Sequence, residues 1–341
     1  MKISEKINLH LKELGDGLGK DYSVENFRPA LLPFLRDGTL QIGKAQDCPT
    51  SSPFFFLLGK FKVSEKTIES SGESFSDVKA QLRCVGELFE RIPIALRNMP
   101  GRILEKDKIE EGKALSVKES NGLSFSLRIK DGIFNSYREL VERHVVLDYW
   151  LNKKPCFEVD GGAKWENLNY LSALKNDLNS RFYFFPNEEG FFVFCCHIGR
   201  KNSPPYHIFG YGCHEDMDEA LEKAFLEAWR FYWEFKEIED RSCPKSYDVM
   251  SFIDHVRYHS LSEDSEPAFF PEKKMSFDKV KKEYLTVGNF QYDSIYIFDL
   301  KSRGIPGYSI KVMRNDFLKF FPGSLREDVG KRKCGDVHPI G

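Results

Sequence analysis

With 41% hydrophobic and 30% charged residues over 341 positions, the chain carries enough apolar material for one large or two ordinary domains, and too much for a disordered protein. Its formal net charge of −2 exerts no global pull on nucleic acid, so a basic groove would have to be local. The most apolar run, Pro53 to Leu58, is far shorter than a bilayer span, and the charged N-terminus lacks a signal-peptide core; the expected setting is cytoplasmic, with neither membrane nor nucleic acid as partner.

Residues 4–14 read as a short amphipathic helix, and residues 53–63, rich in aromatic and branched side chains, as a buried strand. Residues 70–79 are polar, with several N-cap candidates, and read as a loop before a long helix from about Asp77, which Pro93 ends or kinks. Val78, Leu82, Val85, Phe89 and Ile92 are that helix's core candidates. A charged connector, 105–113, leads to strands around 114–130. Asp131 then caps a second long helix running to about Lys153 and closed by Lys154-Pro155. A shorter helix near 165–178 precedes strands near 181–185, 190–198 and 206–213. A third long helix spans about Met217 to Glu239. Helices near 246–259, 277–283 and 315–320, a loop over 260–272, and strands near 293–300 and 307–313 complete the reading. The class is mixed α/β (α+β), with residues 1–50 as an N-terminal extension packed on a core of 51–330 and residues 331–341 as a tail.

None of the eight cysteines forms C-x-x-C, so buried free thiols are expected rather than zinc or thioredoxin-like chemistry. His255 and His259 share a helix face but have no third ligand nearby, and they are read as core or surface histidines. His207 and His214 flank a glycine-rich strand and carry no assigned role.

The pattern E-x-x-E-R occurs twice, as Glu87/Glu90/Arg91 and Glu139/Glu142/Arg143, each time on a predicted long helix where the three side chains share a face. Chance gives about a tenth of an occurrence in a chain of this length, although the same residues also decorate solvated helix faces. On the third helix, Ala220 and Ala224 permit close helix approach, and Glu227 continues that small-residue face. Carboxylates gathered from several helices repel one another and call for a cation. Hard oxygen ligands suit Mg²⁺, which bridges to nucleotide phosphates, and neighbouring arginines suit phosphate oxygens. The chain has no G-x-x-x-x-G-K-[ST] and no kinase signature, so such an ATP–Mg²⁺ site would be of another type.

Three blocks resemble the YcaO family. Lys79-Ala80 through Glu87-Leu-Phe-Glu90-Arg91 resembles its A-x-x-S-A-x-x-E-x-x-E-R helix. Ser120-Asn121-Gly122, then Asp131 to Trp150, resembles T-N-G-x-A and E-x-x-E-R-D…W, with His144 in place of the aspartate. Gly210-Tyr211-Gly212, then Ala220, Ala224 and Glu227, resembles G-x-G…A-x-x-A-x-x-E-x-x-Q, with Arg230 in place of the glutamine. The resemblance implies a YcaO-like fold, with β-sheets packed by three long helices that carry clustered glutamates. It implies ATP and Mg²⁺ as cofactors, with Glu87, Glu90, Glu139, Glu142 and Glu227 as catalytic and metal-site residues and Arg91, Arg143, Asn121 and Arg230 as nucleotide-site candidates.

The activity implied is phosphorylation of a backbone amide oxygen in a ribosomal precursor peptide, forming thiazoline or oxazoline from Cys, Ser or Thr. External sulfide or an internal amine as nucleophile gives a thioamide or amidine instead. A non-catalytic peptide-binding subunit is the reading from a different class, and the departures at His144, Arg230 and Gly341 support it. The family's proline-rich ending is similar to His338-Pro339-Ile340-Gly341 only in part. No leader-binding domain is read before residue 50, so the implied partners are the precursor peptide, a ThiF-like leader-binding protein and a flavin-dependent dehydrogenase; family members also self-associate, for example as homodimers.

Overall fold

The computed structural model describes residues 3–13, 22–44, 54–105, 108–117, 119–160, 178–200, 202–237, 242–245, 249, 252–262, 269–284, 288 and 290–318. The chain forms two compact units, one made of residues 1–140 and 289–317, the other of 141–288 and 318–341.

The first unit opens with α1 (Ile3–Glu13), α2 (Val24–Arg36) and β1 (Leu40–Lys44). Next come β2 (Phe55–Val63), β3 (Lys66–Ser74), α3 (Asp77–Glu90), α4 (Ile92–Leu96), β4 (Met99–Glu105), β5 (Lys108–Leu115) and β6 (Leu123–Ser126). Helix α5 (Ile129–Leu151) belongs to this unit up to Leu140 and to the second unit from Val141. Strands β12 (Ser294–Asp299) and β13 (Tyr308–Met313) return to the first unit. It has two antiparallel sheets, β1-β2-β3 and β5-β4-β12-β13-β6. Phe89 of α3 is fully buried at its centre, with the rings of Phe61 and Phe125 in T-shaped contact at 5.3 and 5.4 Å. Truncating such a residue to alanine costs about 3–5 kcal/mol.

The second unit holds β7 (Pro155–Asp160), β8 (Leu178–Phe184), β9 (Phe192–Arg200), β10 (Ile208–His214), α6 (Met217–Glu237), α7 (Phe252–Leu261), β11 (Phe270–Ser276) and α8 (Phe277–Glu283). Its sheet runs β10-β9-β8-β7-β11, with only the β11–β7 pair parallel. Cys195 and Cys196 are both fully buried in β9, and all six described cysteines are free thiols. His255 and His259 are buried on α7, and no group of three or more His, Cys, Asp or Glu among the described residues can hold a metal by itself. No described helix is long and apolar enough to cross a membrane.

The mixed α/β class and the three long helices stand as expected; several local readings do not. Residues 66–74 are a strand rather than the start of a polar loop, because alternate residues Ile68, Ser70 and Ser74 point inward along β3. The charged connector is β5, whose charges lie on a ladder with β4. Helix α2 escaped notice because Pro29 and Pro33 stand inside it, yet Phe27 and Leu31 are buried. Val78 and Leu82 are 48% and 46% exposed; the buried stripe of α3 is Ala80, Cys84, Val85, Leu88 and Phe89. Strand β7 forms where no element was expected, β11 starts inside the loop expected over 260–272, and Asn315 to Phe317 form a turn rather than a helix. The predicted helix near 165–178 and the tail 331–341 lie outside the described residues, apart from Leu178, which is in β8.

Candidate functional site

In the first unit, glycines let α3 lie directly on its hairpin. A Cβ on Gly72 would stand 2.2 Å from the Ala80 carbonyl oxygen, and one on Gly59 would stand 2.5 Å from Cys84 Sγ. This close approach brings the Ser71 N–H to Glu87 Oε2 at 3.1 Å. Glu87 Oε1 pairs with Arg91, whose other nitrogen donates to the Glu69 carbonyl at 2.8 Å. Arg83 Nη1 donates to the Glu73 carbonyl of the same hairpin at 2.6 Å.

The second unit repeats this arrangement with β9, β10 and α6. A Cβ on Gly212 would lie 1.9 Å from the Ala220 carbonyl oxygen, and one on Gly210 would lie 2.1 Å from the Ala228 nitrogen. The Tyr211 N–H between these glycines donates to Glu227 Oε2 at 2.5 Å. In both units the strand donor and the glutamate are separated by 16 residues. Glu87 and Glu227 therefore occupy equivalent places in two hairpin–helix arrangements. The two E-x-x-E-R copies, by contrast, have different surroundings, since α5 follows no such hairpin.

Glu142 and Glu227 come together in the second unit. Glu142 is buried and takes the Lys223 ammonium at 2.7 Å. Burial, followed by the charge of Glu142, pushes the Glu227 carboxyl up to about 7, against the opposing pull of Arg230, Lys223 and the Tyr211 N–H. Arg230 reaches Glu227 at 3.9 Å and Glu234 at 3.6 Å, and its guanidinium lies 4.4 Å from the Phe231 ring centre. Arg143 stands partly exposed one residue after Glu142 on α5, and His144 Nδ1 accepts the Leu318 N–H at 3.1 Å.

Glu87, Glu90, Arg91, Asn121 and Glu139 belong to the first unit; Glu142, Arg143, Glu227 and Arg230 belong to the second. Glu90 and Glu139 are half-buried on α3 and α5. Asn121 is buried in the turn before β6. Its carbonyl accepts from buried Lys311 at 2.8 Å, and its amide donates to Glu119 at 3.3 Å. Sequence reasoning missed Lys223, Lys311 and the Tyr211 N–H. Lys223 was legible as the residue one turn before Glu227 on the same helix face.

These residues suit Mg²⁺ carried with a nucleotide. Two neighbouring carboxylates, one of them driven toward its neutral form by burial and then by the charge of the other, gain from a divalent cation. Mg²⁺ takes only one or two protein carboxylates and fills its other positions with phosphate oxygens and water, which fits a site with no cluster of three or more protein ligands among the described residues.

Helices α3 and α6, packed on their hairpins through glycines, each hold a glutamate against a strand N–H, and the chain has no phosphate-binding glycine loop of the G-x-x-x-x-G-K-[ST] type. The chain belongs to the YcaO family: residues 92–313 match the family described as YcaO cyclodehydratase, ATP- and Mg²⁺-binding. ATP and Mg²⁺ are the cofactors of this family, and α3 with Glu87 and Glu90 lies just outside the matched segment. Among solved structures, the YcaO of Methanopyrus kandleri bound with AMPPCP and Mg²⁺ is similar at 15% identity and TM-score 0.60, over 89% of this chain and 94% of that one. A heterocyclase in complex with substrate and cofactor is similar at 15% identity and TM-score 0.63, over 87% of this chain and 52% of that one. The Escherichia coli microcin synthetase McbBCD complex is similar at 15% identity and TM-score 0.54, over 81% and 88%. At these identities the likeness shows the fold. The comparison with curated proteins gives no match.

Proposed function

We propose that the protein is an ATP-dependent cyclodehydratase acting on a ribosomally made precursor peptide. In the reaction, a Cys, Ser or Thr side chain adds to the carbon of the preceding backbone amide. The amide oxygen takes the γ-phosphoryl group of ATP, ADP departs, and loss of that oxygen as phosphate leaves a thiazoline or oxazoline. The observation that carries this reading is the Glu142–Glu227 pair, where burial first and then the charge of Glu142 drive Glu227 toward its neutral form even with Lys223 on Glu142.

Within this reading, Glu142 and Glu227 hold Mg²⁺, which neutralises phosphate charge. Glu87, Glu90 and Glu139, which belong to the first unit, are assigned to the metal and phosphate chemistry by the family resemblance alone. Arg143 and Arg230 are assigned to the nucleotide's surroundings, and Arg91 and Asn121 of the first unit are nucleotide-site candidates by the family resemblance alone. Tyr211, through its N–H, fixes the direction of the Glu227 carboxylate. The peptide comes with a leader-binding partner of the ThiF-like kind, and a flavin-dependent dehydrogenase is the natural next enzyme for an azoline. The complexes named for the solved relatives support the general idea of partner subunits and a bound substrate.

Calorimetric titration with AMPPCP, with and without Mg²⁺, tests the site. Mg²⁺-dependent binding is expected in the wild type and a loss of at least about tenfold in a folded Glu142→Gln, Glu227→Gln variant. Binding that is indifferent to Mg²⁺ or to both substitutions would remove these helices from the site.

A further inference from the structure

We propose that Lys223 is a positioning residue that holds Glu142 while the metal is absent and turns to the nucleotide's phosphates when Mg²⁺ takes the carboxylates. The proposal rests on the reading that Glu142 and Glu227 receive the metal. Lys223 Nζ stands 2.7 Å from Glu142 Oε2, with the lysine side chain 34% exposed and the glutamate side chain 9% exposed. The ammonium thus reaches a buried carboxylate from the open side, and its flexible four-carbon stem can swing without disturbing α6. Lys223 lies one helical turn before Glu227, so the same swing passes over both carboxylates.

The matching helix of the first unit shows that the fold does not require this pairing. Arg83 stands in the equivalent place before Glu87 and is directed at the Glu73 carbonyl of its own hairpin. The reach of Lys223 to a carboxylate on another helix is therefore particular to the Glu142 site. A bound divalent cation and an ammonium on one carboxylate repel each other, so Mg²⁺ must displace Lys223. Phosphate oxygens carried by the metal then give the displaced ammonium a new partner. It follows that Mg²⁺ alone binds poorly and that Mg²⁺ and nucleotide assist each other.

The test is calorimetry of MgCl₂ alone, and of AMPPCP with Mg²⁺, on the wild type, Lys223→Met and Lys223→Arg, with folding followed by circular dichroism. Opposite shifts are expected in Lys223→Met. Mg²⁺ alone should bind about tenfold more tightly, and AMPPCP with Mg²⁺ about tenfold more weakly. Lys223→Arg, which keeps the charge, should stay within about threefold of wild type for the nucleotide. Where methionine prevents folding, Lys223→Gln replaces it with the same two shifts expected. Affinities that are unchanged, or that fall together, would make Lys223 a structural strut and overturn the proposal. A folded wild type that binds no AMPPCP with Mg²⁺ would overturn the underlying reading, and the wild-type measurement reveals that before any variant is made.

Discussion

Glu227 is held where ionisation is unfavourable, and that has a consequence for stability. Its carboxyl sits at about 7 in the folded chain against an ordinary value of 4.5. Below 4.5 the folded and unfolded chains both carry the proton and no cost arises; between 4.5 and 7 the unfolded chain ionises first, and above 7 the full cost stands. Metal-free protein should therefore lose up to about 3 kcal/mol through this one residue as pH rises across that window. Glu227→Gln keeps an oxygen for the Tyr211 N–H and has no such titration. In urea unfolding with EDTA present, the variant should gain on the wild type between pH 5 and 8, and Mg²⁺ with AMPPCP should narrow the gap. Parallel pH profiles would mean that Glu227 ionises without penalty. Glu227 itself was legible from its spacing after Ala220 and Ala224. Its environment was not, because the Tyr211 N–H and Glu142 reach it from elements distant in sequence.

The hairpin–helix arrangement is built by glycine facing alanine or cysteine, and its energetics separate two kinds of glycine. Gly212→Ala would press a methyl group to 1.9 Å from the Ala220 carbonyl, so α6 must move off β10 and carry Glu227 away from the Tyr211 N–H. Overpacking of this sort costs about 1–3 kcal/mol, and nucleotide affinity should fall with it. Gly86, inside α3, meets nothing within 4 Å of an added Cβ. Gly86→Ala should stabilise the protein by about 0.5–1 kcal/mol through helix propensity, seen as a higher denaturation midpoint at unchanged slope. The reverse order of stabilities would contradict this packing. At this scale the three long helices and most of the second unit's strands were readable, because their apolar periodicity is strong. Helix α2, with Pro29 and Pro33, and strand β5, with its charges, were not: tertiary pairing overrides local preference at both. The equivalence of Glu87 and Glu227 was hidden by the more conspicuous E-x-x-E-R pair, since helix composition repeats more visibly than a hairpin's two glycines.

Each of the two units has its own core, and the second holds a buried histidine cluster that responds to acid. In the second unit, His197 and His207 are bonded ring to ring at 3.0 Å, with His207 parallel to Phe209 and the His259 ring edge-on to Phe209. Burial first, then the charges of His207 and Arg181, holds the His197 imidazole down at about 3, and burial also lowers His207. A base depressed on folding is neutral in the folded chain while the unfolded chain takes its proton below the ordinary 6.5, so stability falls as pH falls from 6.5 towards 3. For His197 alone the slope is about 1.4 kcal/mol per pH unit. Between pH 7 and about 5 the relief of Glu227 runs the other way and offsets much of this. Below 4.5 Glu227 is protonated in both states and gives no further relief, leaving the histidine cost alone. Hydrogen exchange, corrected for intrinsic rates, should show the amides of β9 and β10 losing protection between pH 4.5 and 3 ahead of those of β12 and β13. In Glu227→Gln protection should start higher at neutral pH, decline from about pH 6.5 where the wild type stays nearly level, and meet the wild type below pH 4.5. Simultaneous opening of both sheets at one pH would mean that the units unfold as one cooperative body and that the histidine cluster does not set the acid limit.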